Sequence, residues 1–272
     1  MPYDLARMCR AKGIRRPSIT LRPINPTAAN SADLAAIIAP AWRIWGDARA
    51  AIMGTYDATP IADGLTLDSP RQTEQVIDTA ASEFLRVLTT TITPSLRRWA
   101  VRIEAWHRSR WISAVDAGTG IDLSTILVGS GEPETVEMFV ARNVALVRNV
   151  SDQAQGKISD AVWRGYQQRL PAREVAKEIN DAVEFGRARA VRIASDQNAK
   201  LCAALDRDRQ VEAGLEQYRW RHSGKLHPRA EHIVRNGKLY DLGTPQGDQP
   251  GDAPFCGCRA QAYIALLDEI ES

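Results

Sequence analysis

Histidine and cysteine, the side chains that bind transition metals most readily, are concentrated in one stretch near the C-terminus. Three of the four histidines lie within eleven residues, as His222, His227 and His232, and two of the four cysteines follow as Cys256 and Cys258. Zinc favours imidazole nitrogen and thiolate sulfur in a tetrahedron, and four protein ligands make a structural site. We therefore predict a structural zinc held by His227, His232, Cys256 and Cys258, with His222 as a substitute ligand.

The residue types leave two other interpretations of this stretch open. In the first, the histidines make ordinary hydrogen bonds and the thiols are simply buried. In the second, a metal and a general base, His232 or Glu231, form a nuclease. The stretch lacks an evident acidic cluster for magnesium, and a metal closed by four protein ligands cannot activate water. We therefore predict no catalytic residues and no enzyme.

The elements that must position these side chains follow a change of pattern at Gly214. Residues 217–221, 238–240 and 260–264 alternate as strands do, and a loop rich in Gly, Pro and Asp covers residues 243–254. Residues 214–272 are thus predicted to form a small α+β module. A module below about 70 residues usually needs a staple, and a metal would serve as one.

Residues 31–213 are predicted to form a helical domain. Ser31 is the predicted N-cap of its first helix, and Pro94 is predicted to kink or restart a later one. Further helices are predicted at roughly residues 134–148, 152–169, 172–184 and 187–213, and the charged residues of the last are interpreted as a solvated face. The predicted fold class is therefore mainly α, a helical N-terminal and central domain with a small α+β C-terminal module.

Residues 1–30 combine four prolines with six basic residues and the single acid Asp4. They show no sustained periodicity, so the sequence predicts an extended arm, either a solvated tail or a contact surface. Arginine suits phosphate and carboxylate, and the arm is predicted to contact DNA non-specifically or to dock on a partner protein. The predicted contact residues are Arg7, Arg10, Arg15, Arg16 and Arg22.

The composition is that of an ordinary globular protein, with 44% hydrophobic and 25% charged residues and a net charge of +2. This charge is too small for the whole chain to be a basic nucleic-acid binder. No targeting signal or membrane span is evident. Cys9 and Cys202 have no evident partners, and Cys256 and Cys258 are too close for a strain-free disulfide, which predicts a chain made in a reducing cytoplasm.

The C-terminal stretch resembles the signature of phage minor head proteins, the phage Mu F-like head-morphogenesis family. The similarity rests on Trp220 with the run to His232, on Asn236-Gly237-Lys238, on the loop 245–254 and on Cys256-Gly-Cys258-Arg259. Helical segments at Arg102–Arg108, Asn143–Arg148 and Arg192–Leu201 extend it to about residues 95–265. One departure is Gly257, where many relatives have Arg.

The resemblance implies a structural virion protein with few copies per head, located in the capsid interior near the portal and assembled in the host cytoplasm. Its implied roles are head morphogenesis, DNA packaging or ejection. The implied partners are the portal protein, the major capsid or scaffold protein, and packaged DNA non-specifically, with no membrane and no small-molecule substrate. The alternative is a phage-encoded metal-dependent nuclease or toxin that uses the C-terminal His/Cys module.

Overall fold

A computed structural model describes residues 2–57, 68–127, 134–226, 228–243 and 247–266. Its helices are α1 (Leu5–Ala11), α2 (Ala28–Asp57), α3 (Asp68–Val87), α4 (Thr93–Thr119), α5 (Glu134–Gln168), α6 (Ala172–Glu212) and α7 (Ala230–Arg235). Its strands are β1 (Ser18–Thr20), β2 (Gln217–Arg221), β3 (Leu239–Asp241) and β4 (Arg259–Ala265). The predicted fold class, mainly α with a small α+β module, is confirmed.

The chain divides into two compact units, each assembled from separate stretches. The first unit comprises Met1–Ser31, Trp99–Phe139 and Ser195–Ser272, and the second comprises Ala32–Arg98 and Val140–Ala194. The four strands and the His/Cys stretch belong to the first unit. The predicted domain limits at residues 30 and 213 stay a prediction.

Two long helices replace the four shorter ones predicted between residues 134 and 213. Asp152, the predicted start of a helix, lies inside α5, and Gly186 lies inside α6. Glycine is needed at position 186 for packing, because a Cβ there would lie 2.4 Å from the Trp42 ring. A glycine that admits an aromatic ring on a helix surface looks, in sequence alone, like a helix break.

Local details at two other helix boundaries also differ from the predictions. Ser31 is not the N-cap of α2; Thr27 precedes the helix, and its Oγ1 accepts the N–H of Asn30 at 3.1 Å.

A π-helical turn, Leu88–Ile92, precedes α4. Pro94 has no N–H to continue the α-helical ladder, and the Thr93 N–H instead donates to the Leu88 carbonyl. The predicted interruption at Pro94 thus takes the form of a π turn.

The extended arm predicted for residues 1–30 is wrong as a conformation, because this segment packs into the first unit. Residues 5–11 form α1, whose Leu5 N–H donates to the Ala213 carbonyl at 3.0 Å. β1 pairs with β4. Aliphatic residues among the prolines are buried, namely Ile19, Leu21 and Ile24, so burial of apolar area ties the segment down.

The four strands form one antiparallel sheet in the order β1-β4-β2-β3. β4 lies in the middle, where Ile264 is opposite Ile19 of β1 and Ala262 is opposite Tyr218 of β2. Buried residues from α1, β1, α4 and β4 form what we call the large apolar cluster, which includes Leu5, Leu21, Trp111, Val115 and Ile264. The C-terminal part of the chain therefore shares its core with the N-terminal segment.

The predicted solvated face of α6 holds at Arg187, Arg189 and Arg192, which are exposed, but it is wrong near the end of the helix, where charged side chains are buried. The buried Asp206 lies 2.9 Å from Nε2 of His107, and the buried Arg209 forms an ion pair with Glu104 of α4. Buried charges are stable when they are paired in this way. These pairs join α4 to α6 and fix the part of α6 that lies against the His/Cys stretch.

Candidate metal centre

The structure brings one histidine and two cysteines of the predicted ligand set together. His232 lies on α7, and Cys256 and Cys258 lie on the segment that leads into β4; their exposed fractions are 3%, 4% and 2%. The Nδ1 atom of His232 is 3.5 Å from the Sγ atom of each cysteine. All three potential ligand atoms lie within 4.8 Å of one another. We call these three residues the thiol–imidazole cluster.

A carboxylate fixes the orientation of the imidazole. The Nε2 atom of His232 is 2.8 Å from Oδ2 of Asp248. Burial opposes ionisation of Asp248, yet hydrogen bonds from His232 and Arg235 hold the pKa of this carboxyl below its usual value. Since an ionised carboxylate only accepts hydrogen bonds, Nε2 donates to Asp248, and Nδ1 faces the two sulfurs.

A hydrogen bond links the two thiols. The hydrogen bond from Cys258 lowers the pKa of Cys256 to about 5, although burial opposes the shift, and backbone N–H groups of Cys258 and Gly251 also favour the thiolate. The same contact raises the pKa of Cys258, while the backbone of Ser223 acts in the opposite direction. A dication bound between the three side chains could displace the thiol protons.

An aromatic and cationic layer covers the imidazole. The Trp220 ring lies edge-on to His232, with ring centroids 5.1 Å apart, and the guanidinium of Arg235 lies 5.1 Å from the Trp220 ring. Arg235 Nη1 also donates to Oδ1 of Asp248 at 2.9 Å. Tyr218, Trp220 and both cysteines form a second small core. β2 therefore supplies the apolar wall that keeps water from the cluster.

Helix α6 holds the loop that carries the cysteines. Asp196 accepts the N–H of Phe255 at 2.6 Å, and Lys200 Nζ donates to the carbonyls of Asp252 and Ala253 at 3.1 and 3.3 Å. At Gly251, φ is +93° and an added Cβ would lie 2.5 Å from the Ala203 Cβ. Glycine at this position allows the loop to lie directly on α6.

The other predicted ligands have different outcomes. His222 is half-buried and lies outside the cluster; its Nδ1 accepts the N–H of Gly224 at 3.1 Å. His227 lies outside the residues that the structure describes. Sequence reasoning missed Asp248, whose one signal is its place in the Gly/Pro/Asp-rich loop. It also missed Asp196, which accepts the Phe255 N–H and holds the cysteine loop, because the two residues lie far apart along the chain.

The five arginines predicted to contact a partner or DNA are exposed on the first unit: Arg7, Arg10, Arg15, Arg16 and Arg22. Arg22 also borders a groove of about 330 Å³. Ile24, Trp106 and Arg110 line the same groove, and the guanidinium of Arg110 lies 6.0 Å from the Trp106 ring. The groove thus combines an apolar floor with two cationic groups.

Comparison with known proteins relates part of the chain to phage head proteins. Residues 156–261 match the family described as "Phage Mu protein F like protein". The family resemblance predicted from the sequence is confirmed by this match over residues 156–261. The matched stretch includes α6, β2 and all three members of the thiol–imidazole cluster.

A curated relative covers more of the chain. An uncharacterized protein of Haemophilus influenzae (strain ATCC 51907 / DSM 11121 / KW20 / Rd) is 32% identical over 156 residues, which is 56% of this chain and 34% of the relative. The chain therefore spans about a third of the length of that relative. No solved structure matches the chain. Within the parts of the chain that the structure describes, every helix is too short or too polar to cross a membrane.

Proposed function

We propose that the chain is a structural minor head protein of a tailed phage that associates with the portal vertex and acts in head morphogenesis, DNA packaging or ejection. The family match over residues 156–261 carries this proposal. Its place is the capsid interior near the portal, after assembly in the host cytoplasm. Its partners are the portal protein and the major capsid or scaffold protein, with non-specific contacts to packaged DNA.

The exposed arginines of the first unit support a docking role. The N-terminal segment places its aliphatic residues in the core and leaves Arg7, Arg10, Arg15 and Arg16 in solvent. Arg22 lies beside the apolar groove. An acidic, partly apolar segment of a partner protein matches such a surface better than a bare phosphate backbone does, because phosphate contacts need no apolar floor.

The geometry of the candidate metal centre favours a structural role over catalysis. A general base must reach its substrate, and His232 is buried with its Nε2 committed to Asp248. Glu231, the other predicted base, is exposed and 3.8 Å from Arg235 of the same helix. The three candidate ligands are 2–4% exposed, so a nucleic-acid substrate could not reach a metal held between them.

The test is co-purification of the chain with the portal protein of the same phage, together with mass spectrometry of purified heads. We expect the chain in heads and a stable complex with the portal protein. Arg15→Glu with Arg16→Glu should weaken the complex at least tenfold, because it reverses charge on the proposed docking surface. The matched control is Arg142→Glu with Arg148→Glu, two exposed arginines of α5, which should leave binding unchanged.

Three results would contradict the proposal. The first is absence of the chain from purified heads. The second is metal-dependent cleavage of DNA or RNA that His232→Ala abolishes, which would indicate the nuclease or toxin. The third is equal weakening by both arginine pairs, which would indicate a general charge effect. A loss of portal binding with unchanged DNA binding would support protein docking by these arginines.

A further inference from the structure

We propose that His232, Cys256 and Cys258 bind one zinc ion, which staples α7 and the cysteine-bearing loop to the start of β4. This inference goes beyond the role in the phage head and does not depend on it. The three side chains come from two segments separated by a long loop, and they converge without a shared secondary-structure element. A metal bond between them would therefore fix tertiary structure directly.

The spacing of the ligand atoms fits a zinc tetrahedron. With Zn–S of about 2.3 Å and Zn–N of about 2.0–2.1 Å, neighbouring sulfur and nitrogen atoms of a tetrahedron lie about 3.6 Å apart. Nδ1 of His232 lies 3.5 Å from each of the two sulfurs.

The surroundings of the cluster match those of a metal site. A metal-bound histidine usually donates its second ring N–H to a carboxylate, and Asp248 accepts that bond here. The Trp220 side chain is 1% exposed and its ring packs edge-on against His232, which shields the site from water. Two thiolates and a neutral imidazole neutralise a dication, and this sulfur-rich set favours zinc over magnesium or calcium.

The burial of the cluster indicates a structural ion. Its members are almost inaccessible to solvent, and Trp220 and Arg235 cover the imidazole. The second core contains only a few residues, so little apolar area holds this part of the chain together. A metal that binds only the folded arrangement adds its binding free energy to folding.

The first experiment measures zinc in the full chain purified without chelator, and then its uptake of cobalt after the zinc is removed. We expect about one zinc per chain. Bound cobalt should show thiolate-to-metal charge-transfer absorption and the strong visible bands of a tetrahedral ion. His232→Ala, Cys256→Ser and Cys258→Ser should each lose most of the metal. The matched controls are His222→Ala and Cys202→Ser, which remove an imidazole and a buried thiol outside the cluster.

Asp248→Asn provides a measurement that does not depend on the folding of the ligand variants. This variant keeps all three ligands and removes only the carboxylate behind His232, so zinc affinity should fall about 10–100-fold in competition with a chromophoric chelator. The proposal is wrong if the wild-type chain takes up neither zinc nor cobalt. It is also wrong if bound cobalt lacks the charge-transfer band, or if His222→Ala loses as much metal as His232→Ala does.

Discussion

The large apolar cluster and the thiol–imidazole cluster hold the same four-stranded sheet by different means. The large cluster buries many aliphatic and aromatic side chains from α1, β1, α4 and β4. The other depends on three polarisable ligand atoms, one carboxylate and one tryptophan. Stability from apolar area is spread over many residues, whereas stability from a metal site is concentrated in a few atoms. The two clusters should therefore respond differently to substitutions and to metal removal.

The largest expected effect is the loss of the zinc staple. A ligand at about 1,000 times its Kd stabilises the fold by about 4 kcal/mol. Removing zinc with a strong chelator should therefore lower amide-exchange protection in α7 and β2 by about that free energy. Amides of α1 should keep their protection, because α1 packs on the large apolar cluster. Equal protection of α7 with and without chelator would contradict the zinc proposal.

The second prediction tests the contribution of the large apolar cluster. Leu5→Ala removes a fully buried side chain from the large apolar cluster and should cost about 2–5 kcal/mol in the free energy of unfolding. The cost should be the same with and without chelator. The control on the same helix is Arg7→Ala, which is exposed and should change stability by less than about 0.5 kcal/mol. Denaturant unfolding of both variants measures this, and a cost that depends on chelator would show that the clusters are coupled.

The smallest expected effect on stability comes from Asp208 on α6. Burial raises the pKa of Asp208, whose Oδ2 accepts the Thr135 hydroxyl at 2.6 Å. A raised folded pKa means that stability is fully present below the unfolded pKa and falls as pH rises through the folded pKa. Asp208→Asn keeps an acceptor for Thr135. Allowing for solvent screening, it should raise stability at pH 7 by less than about 1 kcal/mol.

Thermal unfolding of Asp208→Asn at pH 7 and below pH 4 measures this difference. The gain should shrink at the lower pH and disappear well below the unfolded pKa, where the wild-type Asp208 carboxyl is protonated in both the folded and the unfolded state. Destabilisation at pH 7 would show that the charge of Asp208 helps the fold, which would contradict a penalty from burial.

The sequence predicts those parts of the fold whose causes are local. The three C-terminal strands and the mainly helical remainder follow from periodicity, as confirmed by β2, β3 and β4. The arm and the break between residues 184 and 187 were wrong because tertiary contacts decide them. The cap at Ser31 was wrong because Thr27 accepts the Asn30 N–H instead. Ile19 and Leu21 pack against residues far along the chain, and Gly186 admits the Trp42 ring.

In the candidate site, too, some residues could be predicted from the sequence and others only from the fold. The scarcity of His and Cys singled out His232, Cys256 and Cys258, because rare residues crowd together for few reasons. Asp248 and Asp196 were missed, since aspartate is common in loops and on helix surfaces. Only the folded chain shows that one orients the imidazole and the other holds the cysteine loop. Whether His227 contributes a ligand stays a prediction.

The pairing of β1 with β4 can form only after nearly the whole chain has been synthesised. Ser18 lies opposite Ala265 in the sheet, so β1 leaves the ribosome long before its partner exists. At about 5–20 residues per second, the ribosome needs roughly 12–50 s to make the intervening chain. During that interval β1 is an unpaired strand edge, which other nascent chains could join. Its length of three residues and the neighbouring Arg15, Arg16 and Arg22 would discourage such pairing until β4 emerges.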